Sequence, residues 1–263
     1  MRQLLFSIIL FSTTLSINGQ LEKFIIPASI DDIGTVYQYK KSNWDGSHAS
    51  SVFVYVADSN HLESLKWWEG DEVATLVTAD IDWKTFSVRE FQNHKLRKGI
   101  TPELIAILKM EPGNKFRIKV GEMNDSMSIS AFPWQSYDFD FAGLSFIWRG
   151  LINKQSSFWF HVADAGMQNG QMAFINKGSV DVKFIGKEKI GENVCLKYEA
   201  NGPGLENKGG YIWIDTQSYI VRKYKIEIPD ESEYENGMLE LVKTYKMDRE
   251  AWKHFIKKCI GEN

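Results

Sequence analysis

The stretch YIWIDTQSYIVRKYKIEI, residues 211–228, carries the most pointed chemistry in the chain. Read as a strand, Ile220, Arg222, Tyr224, Ile226 and Ile228 share one face, while Val221, Lys223, Lys225 and Glu227 share the other. A guanidinium on an otherwise apolar face needs a partner or a route to water. If that face lines a cavity, Arg222 can hold an anionic ligand head group through two parallel N–H···O bonds, with Tyr224 beside it and Trp213 lining the same hollow. The alternatives are an ion pair with a neighbouring strand's carboxylate, or a head group that snorkels to the strand edge. For Trp213 the alternative is an aromatic core position.

Other reactive side chains are scattered. His48, His61, His94, His161 and His254 form no HxxxH pair, and the two cysteines have no ligand residues close by, so no metal spacing is expected. His61 and Glu63 would share a strand face, as would Trp159 and His161. The chain lacks a GxSxG elbow, a phosphate-binding loop and a GxGxxG turn after a strand, so neither a catalytic residue nor a cofactor is assigned. Asp80 and Asp82, and Asp138 and Asp140, are paired acids. Glycoside hydrolysis needs two carboxylates set apart across a cleft, which sequence neighbours do not establish. Cys195 lies in the strand-like VCLKYEA and Cys259 near the end of a terminal helix. In an exported chain they either form a disulfide or remain two buried thiols.

The elements that must position these residues belong to an ordinary globular composition: 263 residues, 43% hydrophobic and 25% charged, with a net charge of −3. Acids and bases are mixed along the chain, so the basic stripe required by a nucleic-acid partner is missing. Aromatics are plentiful, and they favour strands, core walls and ligand cavities. Residues 1–19 open with one basic residue and an apolar run from Leu4 to Leu10, then turn small and polar, the layout of a secretory signal peptide. The expectation is a periplasmic or extracellular product, residues 20–263, forming one domain. No later apolar run is long enough to cross a bilayer as a helix.

Strand-like segments then follow closely: 35–41, 51–57, 62–68, 72–79, 81–91, 115–121, 126–132, 156–163, 171–176, 179–186, 194–200, 210–215, 219–228 and 238–247. Turn pairs such as Asp45-Gly46 and Asn169-Gly170 separate many of them, which favours an antiparallel meander. Thr101-Pro102-Glu103 offers a helix start before LIAILKM, although that segment reads equally well as a strand. Residues 138–151 predict a helix buried on most sides. Residues 248–259 predict a terminal helix capped by Asp248, with Trp252, Phe255, Ile256 and Cys259 as its apolar stripe. Its basic face suggests a solvated side better than a membrane surface. SVFVYVA is apolar on both faces, whereas 115–121 and 219–228 are one-sided.

The run VKFIGKEKIGENVCLKYEA, then GGYIWIDTQSYIVRKYKIEIP, then GMLELVKTY resembles a family of uncharacterised exported bacterial proteins related to the LolA/LolB-like lipoprotein-carrier half-barrels. The resemblance implies a mainly β fold with a few helices, a curved antiparallel sheet (an incomplete barrel) wrapped around helices. It also implies an apolar cavity, with a hydrophobic small molecule or a lipidated protein as partner. The functional expectation is a non-catalytic exported carrier with Arg222, Trp213 and Tyr224 at the ligand. A cell-envelope interaction protein with a filled core is the alternative, and a carbohydrate-active hydrolase a third.

Overall fold

The computed structural model describes residues 20–26, 32–136, 145–227, 234 and 236–262. The expected signal segment and Asp138 and Asp140 lie outside them. Fifteen described strands join one sheet. The first eight are β1 (Thr35–Ser42), β2 (Ser50–Val56), β3 (His61–Trp67), β4 (Val73–Asp82), β5 (Ser87–Arg97), β6 (Ile100–Glu111), β7 (Lys115–Val120) and β8 (Met123–Ser128). The others are β9 (Trp134–Gln135), β10 (Phe158–Gln168), β11 (Gln171–Ile190), β12 (Asn193–Asn201), β13 (Gly210–Asp215), β14 (Val221–Ile226) and β15 (Gly237–Lys246). Two helices complete the described elements, α1 (Ser145–Gly150) and α2 (Arg249–Cys259), with a single 3-10 turn at Pro203–Leu205.

Short turns dictate the order. Each of β1 to β7 pairs antiparallel with the next, as does each of β10 to β14, and β1 pairs with β15 to join the two runs. The turn Asn169-Gly170 shows why: both residues have positive φ, +52° and +77°, which matches the twist of the strands that a two-residue hairpin connects. Gly178, at φ +105°, sits where the β10–β11 register slips, and a Cβ there would come within 2.9 Å of Pro203. The short β9 lies parallel to β10 at the far edge.

The sheet is curved and unclosed. Its ends approach without a ladder between them. Instead, Phe174 N donates to Asp125 Oδ2 at 3.0 Å, joining β11 to β8. Trp134 N donates to Ser87 Oγ at 2.8 Å, and Gln135 Nε2 donates to Phe86 O at 3.1 Å. Side chains therefore fasten the seam.

Alternation along the strands feeds two cores. The main cluster takes Tyr37 and Tyr39 from β1, Val52, Val54 and Val56 from β2, Phe158, Phe160 and Val162 from β10, and Ile212 and Ile214 from β13. Phe146, Ile147 and Trp148 of α1 pack into it. The opposite face of β1 to β5 supplies Val36, Phe53, Tyr55, Leu65, Ala74 and Leu96, and α2 covers them with Trp252, Cys259 and Ile260. This explains why SVFVYVA is apolar on both sides. Of the two described helices, α1 packs into the inner core, whereas α2 docks on the other face of the sheet.

Other expectations shift locally. Residues 81–91 divide at a turn over 83–86, whose apolar Trp83 and Phe86 disguise it. Segments 171–176 and 179–186 are parts of the single β11. Residues 101–108 belong to a strand, because β5 and β7 pair with both sides of β6. Of the helix expected over 138–151, residues 145–150 are helical and 137–144 lie outside the described residues.

Candidate functional site

At the seam the inner apolar face is only partly buried. Cross-strand pairing places Met110, Phe116 and Met127 in one row across β6, β7 and β8. Ala106, Val120 and Met123 form a second row, and Leu108, Ile118 and Asp125 lie between them. Across the seam stand Phe174 and its partner Ala165. Met110, Val120, Met123, Met127 and Ala165 pack on the main cluster yet stay only partly buried. A lip rich in methionine is soft: unbranched thioethers adapt to ligands of variable shape. Its one carboxylate is already engaged. Backbone N–H groups of Phe174 and then Ser126 hold Asp125 below the usual carboxylate range.

Below the lip the described surface is aromatic. Trp134 is fully buried against Phe116, with ring centroids 4.8 Å apart, and its Nε1 meets no acceptor among the described residues. At the other end of the core α1 is tied down by polar contacts. Ser145 Oγ accepts from Val221 N at 2.8 Å, and Arg149 pairs with Asp32 and donates to Tyr37 Oη at 3.1 Å. Tyr37 donates in turn to Asp32 at 2.5 Å, and burial pushes its phenol well above its ordinary value.

The three expected ligand residues are not brought together. Tyr224 is fully buried in the main core. Trp213 pairs with Lys223 and lies outside that cluster, under Lys197 Nζ at 5.1 Å. Between them the β13–β14 register slips: Trp213 faces Lys223, but Ile214 faces Val221, leaving Arg222 as the extra residue of a bulge. Val221 thus joins Tyr224 inside, and the unbroken alternation assumed for 220–228 ends at Arg222. Its guanidinium stands 3.9 Å from Asp215, with the side chain 24% exposed.

The densest polar cluster lies under α2. His61 Nδ1 is 2.6 Å from Asp80, and its Nε2 is 3.6 Å from Glu63. With Glu63 and Asp80 on its two nitrogens, His61 is pushed up to about 9 and is cationic at neutral pH. Glu63 also accepts from Trp252 Nε1 at 2.6 Å and pairs with Arg249 at 2.6 Å. Burial opposes its ionisation, but His61, Arg249 and Trp252 hold its carboxyl below the usual range. Both oxygens of Glu63 are engaged, one by Arg249 and the other by Trp252, so the carboxylate anchors the helix to the sheet. The shared face of His61 and Glu63 was visible in sequence; Trp252, 189 residues away, was not.

The remaining candidates disperse. Asp80 binds His61 and Arg89, whereas Asp82 accepts Lys84 N and caps a turn. His94 and His161 are shifted down by burial, and each keeps a buried Nδ1 without a partner among the described residues. His161 packs on Trp159 at 5.2 Å, as their shared face implied. Cys195 and Cys259 are buried free thiols. Among the described residues no three His, Cys, Asp or Glu are grouped to hold a metal. The seam methionines were missed in the sequence. Met123 and Met127 share a strand face, but polar residues separate them and hide the stripe.

No family model matches the chain, and no curated protein matches it. Among solved structures it is similar to a β-barrel-like protein of the domain of unknown function DUF1849 from Brucella abortus. That match has 11% identity, 81% of this chain and 97% of the other, and a TM-score of 0.41. It is also similar to a LolA superfamily protein from Nitrosomonas europaea, at 9% identity, 90% and 94% coverage, and a TM-score of 0.23.

Proposed function

We propose that this chain is an exported, non-catalytic binding or carrier protein that takes up a lipid-like or other hydrophobic molecule through the seam between β8 and β11. The observation that carries the reading is the methionine lip, where Met110, Met123 and Met127 border the main core while only partly buried. Adaptable apolar side chains along this edge suit cargo defined by greasiness more than by shape. The apolar run at Leu4 to Leu10 supports export, with a periplasmic or extracellular destination.

Native mass spectrometry of protein purified without detergent, followed by solvent extraction, tests this directly. A co-purifying apolar molecule is expected, and a fluorescent fatty acid should bind the stripped protein. Met110→Glu and Met127→Glu should each weaken that binding about tenfold or more, by charging the lip. Folded protein that neither carries nor accepts any apolar ligand would remove the carrier reading.

A second reading has its own support: Trp134, Trp148, Phe160, Tyr198 and Tyr224 are all fully buried, so much of the enclosed space is filled. A cell-envelope interaction protein with a packed core would give cross-links to a protein partner and no extractable ligand.

A further inference from the structure

On the opposite face of the sheet, the C-terminal half of α2 and strands β4 to β6 border a groove of about 260 Å³. Its walls are Leu76, Leu96, Ile100, Pro102, Ile256 and Ile260. Leu96 and Ile260 are buried and form the floor, while Ile100 is 56% exposed at the rim. The volume sits just under the ~300–1,000 Å³ usual for small-molecule sites, so it fits one short chain and excludes a two-chain lipid.

The rim charges are unequal. Lys253 pairs with Glu250 at 2.8 Å, and Lys98 reaches Glu72 at 3.5 Å. Glu262 Oε1 accepts from Gly99 N at 2.9 Å and ties the chain end to the β5–β6 turn. Arg97 and Lys257 also line the groove, and neither has an ion partner among the described residues. Two uncommitted cations beside an apolar slot complement a molecule with an anionic head and a short alkyl tail. Arg97 adds a planar fork that matches a carboxylate.

We propose that this groove binds a free medium-chain carboxylic acid, the tail lying between Ile100, Ile256 and Ile260 and the carboxylate meeting Arg97 and Lys257. The site is separate from the seam. It lies on the other face of the sheet and borders the second core, so its ligand would also brace α2.

The test is titration of the full chain with sodium decanoate below its micelle concentration. Isoleucine methyl NMR signals and calorimetry would be followed at neutral pH, where the acid is ionised. Saturable shifts centred on Ile100, Ile256 and Ile260 are expected. Decanol, with the same tail and no charge, should bind about tenfold more weakly or worse. Arg97→Glu and Ile100→Glu change exposed side chains, so both should fold; each should cut affinity about tenfold. Met127→Glu should leave these shifts intact, which separates this site from uptake at the seam. Absence of shifts at the three isoleucines at saturating decanoate would overturn the proposal. So would equal binding of decanol, or binding that Met127→Glu abolishes while Arg97→Glu spares it.

Discussion

The two faces of the sheet are held by different physics. The inner face is a large, nearly uninterrupted aromatic and aliphatic core, running from Tyr37 through Trp134 and Trp148 to Tyr224. The outer core is small, and the helix that covers it is pinned by a few directional contacts on one buried carboxylate, Glu63. Hydrophobic burial scales with area and is insensitive to pH, whereas a charged network depends on each member and on protonation. The inner core should therefore set global stability, and the outer one should set whether α2 stays docked.

The largest effect is expected inside. Trp148 is fully buried, with edge-on ring contacts to Phe158 at 5.3 Å and Tyr198 at 5.6 Å. Trp148→Ala should cost about 3–5 kcal/mol, a large part of the stability of an ordinary domain. Urea unfolding followed by far-UV circular dichroism measures it. A loss below about 1 kcal/mol would mean that α1 is not integral to the core.

Glu63→Ala attacks the other face. It strips the acceptor from the buried Trp252 indole and leaves Arg249 and His61 without their shared carboxylate. A cost of about 2–3 kcal/mol follows from orphaning buried donors, and it should fall locally. Hydrogen exchange should show α2 amides opening while β10 and β12 stay protected. If all of them open together, the two faces form one cooperative unit and the contrast fails.

A pH titration sharpens the same contrast without mutation. Because His61 rises to about 9 in the folded protein from about 6.5 unfolded, it binds its proton more tightly when folded. Its contribution is complete below pH 6.5 and is lost as pH rises through 9. Docking of α2 should weaken across that window, as read by its exchange rates. His61→Gln should flatten the dependence. A slope that persists in the variant would assign it to other groups.

How much of this could be read in advance depended on whether the cause was local. Asn169-Gly170 announces its hairpin, and Asp248 followed by the Trp252–Cys259 stripe announces α2, because turn and cap chemistry reside in the residues themselves. In the structure Asp248 does accept Ala251 N, at 2.8 Å. Thr101-Pro102-Glu103 could start a helix as easily as a strand, and only pairing with β5 and β7 decides it. A register slip between Lys95 and Arg97 lies beside the proline, which cannot donate to a ladder. The seam was illegible for a different reason. Which strands become edges is a property of the whole sheet, so Met110, Met123 and Met127 gain meaning only when β8 and β11 come to face each other.

Arg222 gives the smallest expected effect and tests the local reading most directly. As a lone cation on an apolar strand face it would be expensive to bury and worth conserving energetically through a partner. The bulge relieves that conflict by setting it out of phase with Tyr224, next to Asp215, whose carboxylate also accepts Gln217 N and Ser218 N at 2.9 Å each. A partly exposed pair at 3.9 Å is worth about 0–1 kcal/mol. Arg222→Met should therefore shift the urea midpoint barely at all, and fatty-acid uptake at the seam should be unchanged. If uptake instead falls tenfold while stability holds, the guanidinium touches the ligand, and the division of labour between the two faces must be redrawn with Arg222 on the ligand's side.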